Sequence, residues 1–269
     1  MIASRNRTSP HSLVSIARFA GFLCLLGAQA TIGAKADTFT YADSTFAPAN
    51  WWFTADGLGN GGNYGTVTAS QQLTGGNTGS YLENILHINA AIPGSFSADI
   101  GLNIASAFTY DPRTHGAISN IHFSVDGRIH PGALGVAGNY LILKQGGSIY
   151  FDPAGFANSS AWTTYSFNNL TSSSFGYYQQ NRPYIPVSIF DMSQHPDFSK
   201  YGSAIQFGIA ISNANDYFGG SYDNAADIDN FSVSVSTLVT PEPGVNGLFA
   251  AMVLSAGAAL FRQKRRRIA

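Results

Sequence analysis

The sequence is short of cysteine and of charged residues. Cys24 is the single cysteine among 269 residues, and it lies in an apolar stretch near the N-terminus. Charged residues make up only 11% of the chain. If the apolar stretch is removed during processing, the mature protein has no thiol. Disulfide bonds and cysteine-based metal sites are then excluded from the body of the protein.

The central part of the chain also has little positive charge. Residues 37–239 contain fourteen acidic residues and five basic ones, whereas both ends of the chain are basic. Binding to nucleic acid requires clustered lysine and arginine, so this acidic body argues against nucleic acid as a partner. Glu83 is the only glutamate of the body, and strong helix formers are scarce there.

Several catalytic motifs are missing. The sequence has no G-x-S-x-G elbow, no H-E-x-x-H and no P-loop. Glycoside hydrolases place two carboxyl groups across the scissile bond, and the single glutamate Glu83 cannot supply a glutamate pair. We therefore predict that the protein is not an enzyme. The alternative is an extracellular polysaccharide-active enzyme that uses aspartates such as Asp227 and Asp229.

Residues 1–36 have the features of a secretory signal peptide. A polar, basic segment precedes a short apolar run at 19–28, which is too short to cross a bilayer of about 30 Å as a helix. Ala34 and Ala36 form an A-x-A cleavage pattern, and Asp37 would open the mature chain. This order of features predicts export.

The C-terminal segment, residues 240–269, predicts a membrane anchor. An apolar stretch at 245–261 has about the 17 residues that a transmembrane helix needs at minimum. The basic tail at 262–269 should stay in the cytoplasm. The body, residues 37–239, then lies on the opposite side of the membrane, in agreement with the signal peptide at the other end.

These C-terminal features resemble the PEP-CTERM sorting signal of Gram-negative and related bacteria. The residues that carry the resemblance are Pro241, Glu242, Pro243, Arg265, Arg266 and Arg267. The resemblance implies that an exosortase, a membrane cysteine protease, recognises the tripeptide and cleaves near it. The protein would be anchored in the inner membrane before sorting, and would then reach the cell surface or the extracellular space. An ordinary tail anchor is the alternative.

The body shows the alternation of half-buried β-strands. Apolar and polar residues alternate at 121–125, 205–211 and 231–235. Two further runs, 140–143 and 148–151, flank Gly146-Gly147 and predict a hairpin. We therefore predict an all-β protein with an antiparallel, jelly-roll-like β-sandwich.

Other segments complete this prediction. Strands are also expected at 85–88, 96–104 and 162–167, whereas residues 56–65 and 213–224 read as long polar loops. Binding sites favour loops of this kind, although a plain solvated loop is the commoner outcome.

The body loosely resembles the jelly-roll sandwich domains of carbohydrate-binding modules. The resemblance rests on scattered residues: Phe39, Phe46 and Trp51 at the start, and segments 197–208 and 229–233 near the end. It implies the sandwich fold and suggests exopolysaccharide as a ligand.

An oxygen-rich cluster surrounds Asp227 and Asp229. These two aspartates are two positions apart, so they lie on one face of a strand and could share a ligand. Asp43 joins them if the first and last strands pair. Calcium binds six to eight oxygen ligands, which makes it the cofactor we predict here, in a structural role. The alternative is that these side chains satisfy local backbone groups.

Exposed aromatic side chains are candidates for stacking on sugar rings. The candidates are Trp51, Trp52, Tyr64, Tyr217 and Tyr222, and the alternative for each is packing in the core. Because Trp51 and Trp52 are adjacent, at most one of them faces the core of an extended strand. We expect an exported surface or matrix protein that binds exopolysaccharide. The alternatives are the aspartate-based enzyme and a structural or adhesive protein without a small ligand.

Overall fold

The computed structural model describes residues 36–59, 65–90, 97–133, 138–157, 159–179, 189–215 and 220–238. The predictions of a signal peptide and a sorting tail fall on residues 1–35 and 239–269, outside the described residues, as do the candidates Tyr64 and Tyr217. Within the described part of the chain, no helix has the length and apolar character needed to cross a membrane.

The described residues form β-strands joined by short turns. In chain order the strands are β1 Thr38–Asp43, β2 Trp51–Gly59, β3 Thr66–Gln72, β4 Tyr81–Ile88, β5 Ser97–Tyr110, β6 Ile118–Ile129, β7 Gly138–Gln145, β8 Ser148–Phe151, β9 Phe156–Ala157, β10 Thr163–Leu170, β11 Gly176–Tyr178, β12 Phe190–Asp191, β13 Ile205–Asn215 and β14 Tyr222–Thr237. Helical structure in this part is limited to one α-helical turn, α1 at Pro112–His115, and short 3-10 turns at Pro48–Asn50 and Ser172–Ser174.

The strands form two antiparallel sheets. The six-stranded sheet, here sheet A, has the order β10-β6-β14-β4-β3, with β1 also paired to β14. The eight-stranded sheet, sheet B, has the order β12-β11-β8-β7-β13-β5-β2, with β9 also paired to β7. The prediction of an all-β antiparallel sandwich is confirmed, and so is the pairing of the first strand with the last.

Strand β14 is central to sheet A. It pairs with β4 through Tyr222–Ile228, with β6 over 226–237 and with β1 over 231–236. Its register with β6 shifts between Asp229 and Ser232, where Asn230 has a φ of 48°. Asparagine tolerates this left-handed conformation better than most residues, so it can hold a bulge here.

The bulge changes which positions of β14 face the core. Before it, Ala226 and Ile228 are buried in the core cluster. After it, Phe231, Val233 and Val235 are buried there instead. The spacing between Ile228 and Phe231 is therefore three rather than two, and both halves of the strand bury apolar side chains on the same side.

The main core lies between the sheets and is rich in aromatic rings. Phe231 packs edge-on against Trp51 at 5.1 Å and against Phe123 at 5.4 Å between ring centroids. A hydrogen bond also crosses between the sheets, from Asn103 Nδ2 on β5 to Asn84 Oδ1 on β4, at 2.8 Å. A second apolar cluster lies on the other side of sheet B and includes Ile104 and Ile142.

The predicted strands are confirmed, and the predicted hairpin is the β7–β8 pair with Gly146-Gly147 at its turn. The prediction of two long loops was wrong in part. Residues 56–59 belong to β2, residues 213–215 to β13 and residues 222–224 to β14. Their polar composition suggested loops, but pairing with a long neighbouring strand satisfies their backbone groups and extends the ladders.

Replacing Phe231 by alanine tests the core at the bulge. We expect Phe231→Ala to lower the free energy of unfolding by about 3–5 kcal/mol, because the ring is fully buried and its loss leaves a cavity among aromatic neighbours. Urea denaturation measures the change. Leu73→Ala is the control, since Leu73 is 73% exposed and should change stability little. Equal losses in the two variants would contradict this description of the core.

Candidate functional site

A row of charged side chains crosses the outer face of sheet A. Asp227 on β14 is directly opposite Glu83 on β4 and Arg128 on β6. The Asp227 side chain is completely buried, and Arg128 Nε donates a hydrogen bond of 2.7 Å to its Oδ2 atom. The strand register thus places a glutamate, an aspartate and an arginine side by side on three neighbouring strands.

His130 follows the end of β6 and completes this group. Its Nδ1 atom lies 2.9 Å from Asp227 Oδ1 and 3.2 Å from Glu83 Oε1. Its backbone N–H donates to the carbonyl oxygen of Ala225 at 3.0 Å, which ties the residue to β14. We call Glu83, Arg128, His130 and Asp227 the Asp227 cluster.

Two aromatic rings flank the cluster. The guanidinium carbon of Arg128 lies 4.4 Å from the ring centroid of Trp162 and 5.4 Å from that of Tyr81. Such cation–π contacts hold a guanidinium in a fixed orientation. Burial raises the pKa of the Tyr81 hydroxyl, and the negative charges of Asp227 and Glu83 raise it further. The outer face of sheet A therefore carries a well-ordered, partly buried charged centre.

A second pair of carboxylates lies next to the cluster. Asp229 is opposite Asp126 in the β14–β6 register, and both side chains are buried. Asp126 Oδ2 accepts hydrogen bonds from the side-chain amides of Asn77 and Asn230, each at 2.7 Å. Its Oδ1 accepts from Thr164 Oγ1 at 2.6 Å.

Asp229 holds the segment between β3 and β4 through the backbone. Its Oδ2 accepts from the amide of Thr78 at 3.1 Å, and its Oδ1 accepts from the amide of Asn230 at 2.6 Å. Asn77 and Thr78 both lie in this segment, so the two carboxylates together fix it over the outer face of sheet A.

The two carboxylates differ in their acidity. Burial alone would raise the pKa of Asp126, but hydrogen bonds from Asn230, Thr164 and Asn77 outweigh it, and its pKa is lowered. For Asp229, burial is the largest effect and the charge of Asp126 adds to it, so its pKa is raised despite its backbone hydrogen bonds. This difference follows from the number of side-chain donors on each group.

The three aspartates predicted to share calcium have separate partners. Asp43 accepts from Trp51 Nε1 at 2.8 Å and from the Thr45 amide at 2.7 Å. Its pKa is lowered, because these hydrogen bonds outweigh the effect of burial. Among the described residues, one set of three or more histidine, cysteine or acidic side chains has potential ligand atoms that all lie within 4.8 Å of one another, and it consists of Glu83, His130 and Asp227. Calcium binding stays a prediction.

The described aromatic candidates divide between core and surface. Trp51 is half-buried against the core, whereas Trp52 is 42% exposed, so only one of the two faces inward, as the alternation predicts. Tyr222 also packs against the core, and its hydroxyl donates to the carbonyl oxygen of Ala214 at 3.1 Å. Trp52 is therefore the best placed of these described candidates for contact with a ligand.

Trp52 lies on the outer side of sheet B. In the β2–β5 register it is opposite Ile104, a member of the second apolar cluster. The ammonium group of Lys144 lies 4.3 Å from the Trp52 ring centroid. Gln206, on the neighbouring strand, is opposite Lys144. An exposed indole ring, a cation and an amide are thus grouped on one surface.

The sequence alone did not predict most members of the Asp227 cluster. Asp227 was identified as a candidate ligand, but Glu83, Arg128 and His130 are distant from it in the chain and were not assigned to its site. Asp126 lies on a polar position of the alternation in β6, yet it is buried because the segment containing Asn77 covers it. A charged residue at the same alternation phase on several strands is the signal that points to such a row.

Comparisons with known proteins yield fold-level similarities only. No family model matches the chain, and no curated protein does. Solved structures that resemble it include a family 11 carbohydrate-binding module from Clostridium thermocellum in complex with a beta-1,3-1,4-mixed-linked tetrasaccharide. That match has 13% identity and a TM-score of 0.37, and it covers 74% of this chain and 94% of that one.

A second similar structure is the CBM22-1 xylan-binding domain of Paenibacillus barcinonensis Xyn10C. It has 11% identity and a TM-score of 0.38, over 77% of this chain and 99% of that one. An exo-beta-agarase matches with 12% identity and a TM-score of 0.37, over 72% of this chain and 24% of that one.

Replacing Asp126 by asparagine tests the second carboxylate pair. We expect Asp126→Asn to lower the free energy of unfolding at neutral pH by about 1–3 kcal/mol, because an amide cannot accept from all the buried donors around it. The lowered pKa means that the charged form contributes stability above the unfolded pKa of about 3.9. That contribution is lost as the pH falls through the folded pKa.

The difference between wild type and Asp126→Asn should therefore shrink below about pH 4, as measured by thermal or urea unfolding across a pH series. Asp197→Asn is the control, since Asp197 is exposed and its contact with the Ser199 amide needs only an acceptor oxygen. A constant difference down to strongly acidic pH would contradict the assignment of Asp126 as a charged acceptor.

Proposed function

We propose that this protein is an exported bacterial surface protein whose β-sandwich binds exopolysaccharide without catalysing a reaction. In this proposal the N-terminal segment directs export, and the C-terminal segment anchors the chain in the inner membrane. An exosortase then processes the tail near Pro241-Glu242-Pro243, and the body reaches the cell surface or the surrounding matrix.

The observation that supports polysaccharide binding is the environment of Trp52. Trp52 is 42% exposed, and it lies on an edge strand of sheet B. Large aromatic side chains are usually buried when they serve only packing, and Trp51 beside it does pack on the core. An exposed tryptophan with polar neighbours is typical of a contact surface.

The neighbours of Trp52 match the chemistry of a sugar. The C–H face of a pyranose ring packs on an indole, and its hydroxyl groups accept hydrogen bonds from an ammonium group. Lys144, 4.3 Å from the indole centroid, supplies such donors. Gln206 lies opposite Lys144 in the β13–β7 register, and its amide can both donate and accept. A neutral or acidic polysaccharide suits this surface, since its nearest charge is positive.

Replacing Trp52 tests this proposal. We expect Trp52→Ala in the full-length protein to lower retention on the exopolysaccharide of the producing organism at least tenfold, because the stacking surface is lost. Affinity electrophoresis or a pull-down with the insoluble polymer measures the change. Unfolding midpoints should stay close to those of the wild type, since Trp52 lies outside the core.

Tyr201→Ala is the matched control. Tyr201 is 78% exposed, and Lys200 lies 5.1 Å from its ring centroid, but the two are adjacent in a turn. Its replacement should leave binding unchanged. Full retention by Trp52→Ala would contradict the proposed surface. Absence of binding by the wild type would favour a structural or adhesive protein, and release of soluble sugars would favour the enzyme.

The export and sorting part of the proposal is supported by the sequence alone. The basic N-terminal segment with its A-x-A site and the apolar C-terminal stretch with its arginines give the same orientation in the membrane. The acidic body lies between them, on the outer side in this orientation.

Changing the tripeptide tests the sorting proposal. In a Gram-negative host that contains an exosortase, we expect wild-type protein to lose its C-terminal segment. Replacement of Pro241, Glu242 and Pro243 by alanine should leave the tail attached, as measured by mass spectrometry of the intact protein. A variant with lysine at positions 265–267 keeps the charge and serves as the control for membrane orientation. Recovery of wild-type protein from the cytosol with both ends intact would contradict this proposal.

A further inference from the structure

We propose that Glu83, His130 and Asp227 form a binding site for a transition-metal ion of the zinc type on the outer face of sheet A. This proposal does not depend on polysaccharide binding at Trp52, which lies on sheet B. It also differs from the calcium site predicted from the sequence, because the ligands come from β4, from β14 and from the residue that follows β6.

The ligand atoms have a spacing that suits a metal ion. His130 Nδ1 lies 2.9 Å from Asp227 Oδ1 and 3.2 Å from Glu83 Oε1, and the three atoms all lie within 4.8 Å of one another. A tetrahedral zinc ion with bonds of about 2.0–2.2 Å separates its ligand atoms by roughly 3.3–3.6 Å. For the two contacts of His130, movements of a few tenths of an ångström would therefore give ligand separations.

Each carboxylate has one oxygen held by a neighbour and one directed to His130. Arg128 Nε donates to Asp227 Oδ2 at 2.7 Å, and Gln72 Nε2 donates to Glu83 Oε2 at 2.9 Å. The remaining oxygens are those that lie beside His130 Nδ1. Outer hydrogen bonds of this kind orient ligating carboxylates in metal sites.

The charge of the group also favours a bound cation. Two carboxylates face one permanent cation, Arg128, so the group has an excess negative charge before histidine is counted. A divalent cation compensates this charge in a place where Asp227 has no contact with solvent. Arg128, the permanent cation of the group, also stacks on Trp162, with its guanidinium carbon 4.4 Å from the ring centroid.

The donor set selects the kind of metal. Imidazole nitrogen suits zinc, copper, nickel and iron, whereas calcium takes six to eight oxygens. Three protein ligands with one histidine leave a fourth position for water, as in open zinc sites. Access is from the side of His130 and Glu83, whose side chains are 30% and 14% exposed.

The same sheet offers a matched control. His87 Nδ1 lies 2.5 Å from Asp223 Oδ1, so it too forms a histidine–aspartate pair across β4 and β14. Both of these side chains are well exposed, and they are absent from the metal-ligating group found among the described residues. Among the described residues, a second carboxylate whose oxygen completes a group within 4.8 Å is present at His130 and not at His87.

The test is titration of the full-length protein with Zn²⁺ alone by calorimetry, and with Co²⁺ by visible absorption. We expect one strong Zn²⁺ site per chain in the wild type. With Co²⁺, we expect the visible absorption bands of a four-coordinate ion. His130→Ala should abolish this site. Glu83→Gln should lower the Zn²⁺ affinity, because the substitution removes the negative charge of a ligand. Loss of a residue that only hydrogen-bonds to a ligand costs roughly 10- to 100-fold in affinity, and we expect at least this loss here. His87→Ala should leave the affinity unchanged.

Circular dichroism verifies that each variant is folded, and Glu83→Gln decides the question if His130→Ala does not fold. The proposal is overturned if the folded wild type shows no strong Zn²⁺ site. It is also overturned if Glu83→Gln binds Zn²⁺ as tightly as the wild type, or if His87→Ala loses binding to the same extent as Glu83→Gln. Failure of this test leaves polysaccharide binding at Trp52 untouched, because that site shares no residue with the metal site.

Discussion

The structure depends on the placement of β14 between β6 on one side and β4 and β1 on the other. A strand in this position must bury apolar side chains along its whole length on the side of the core. The bulge at Asn230 allows this, because it resets the alternation between Ile228 and Phe231. The same bulge leaves Asp227 and Asp229 on the outer face, where β4 and β6 provide their partners.

Burial then determines what surrounds these acids. A carboxylate without contact to solvent is very costly unless it is paired and hydrogen-bonded. Asp227 meets this requirement through Arg128 and His130, and Asp229 meets it through backbone amides. The outer face of sheet A is thus an ordered charged surface, whereas the outer face of sheet B combines apolar side chains with the exposed ring of Trp52.

The alternation of apolar residues was enough to predict the strands, the β7–β8 hairpin and the sandwich. It also predicted that Trp51 and Trp52 face opposite sides, but not which of them faces the core, since that depends on the position of Phe231 on another strand. The site was harder to predict. Glu83 and His130 meet Asp227 through strand register, which pairs positions far apart in the chain. The three-residue spacing from Ile228 to Phe231 was visible in the sequence and, together with Asn230, indicates the bulge.

Native-state hydrogen exchange of the β14 amides tests the central position of this strand most directly. If β14 organises sheet A, amides in its paired middle, such as those of Ile228 and Val233, should exchange only through global unfolding. Amides of the edge strand β3 should exchange earlier, through local opening. Exchange of the β14 amides as fast as those of β3 would contradict the account, because the charged row on the outer face would then have no fixed strand to hold it.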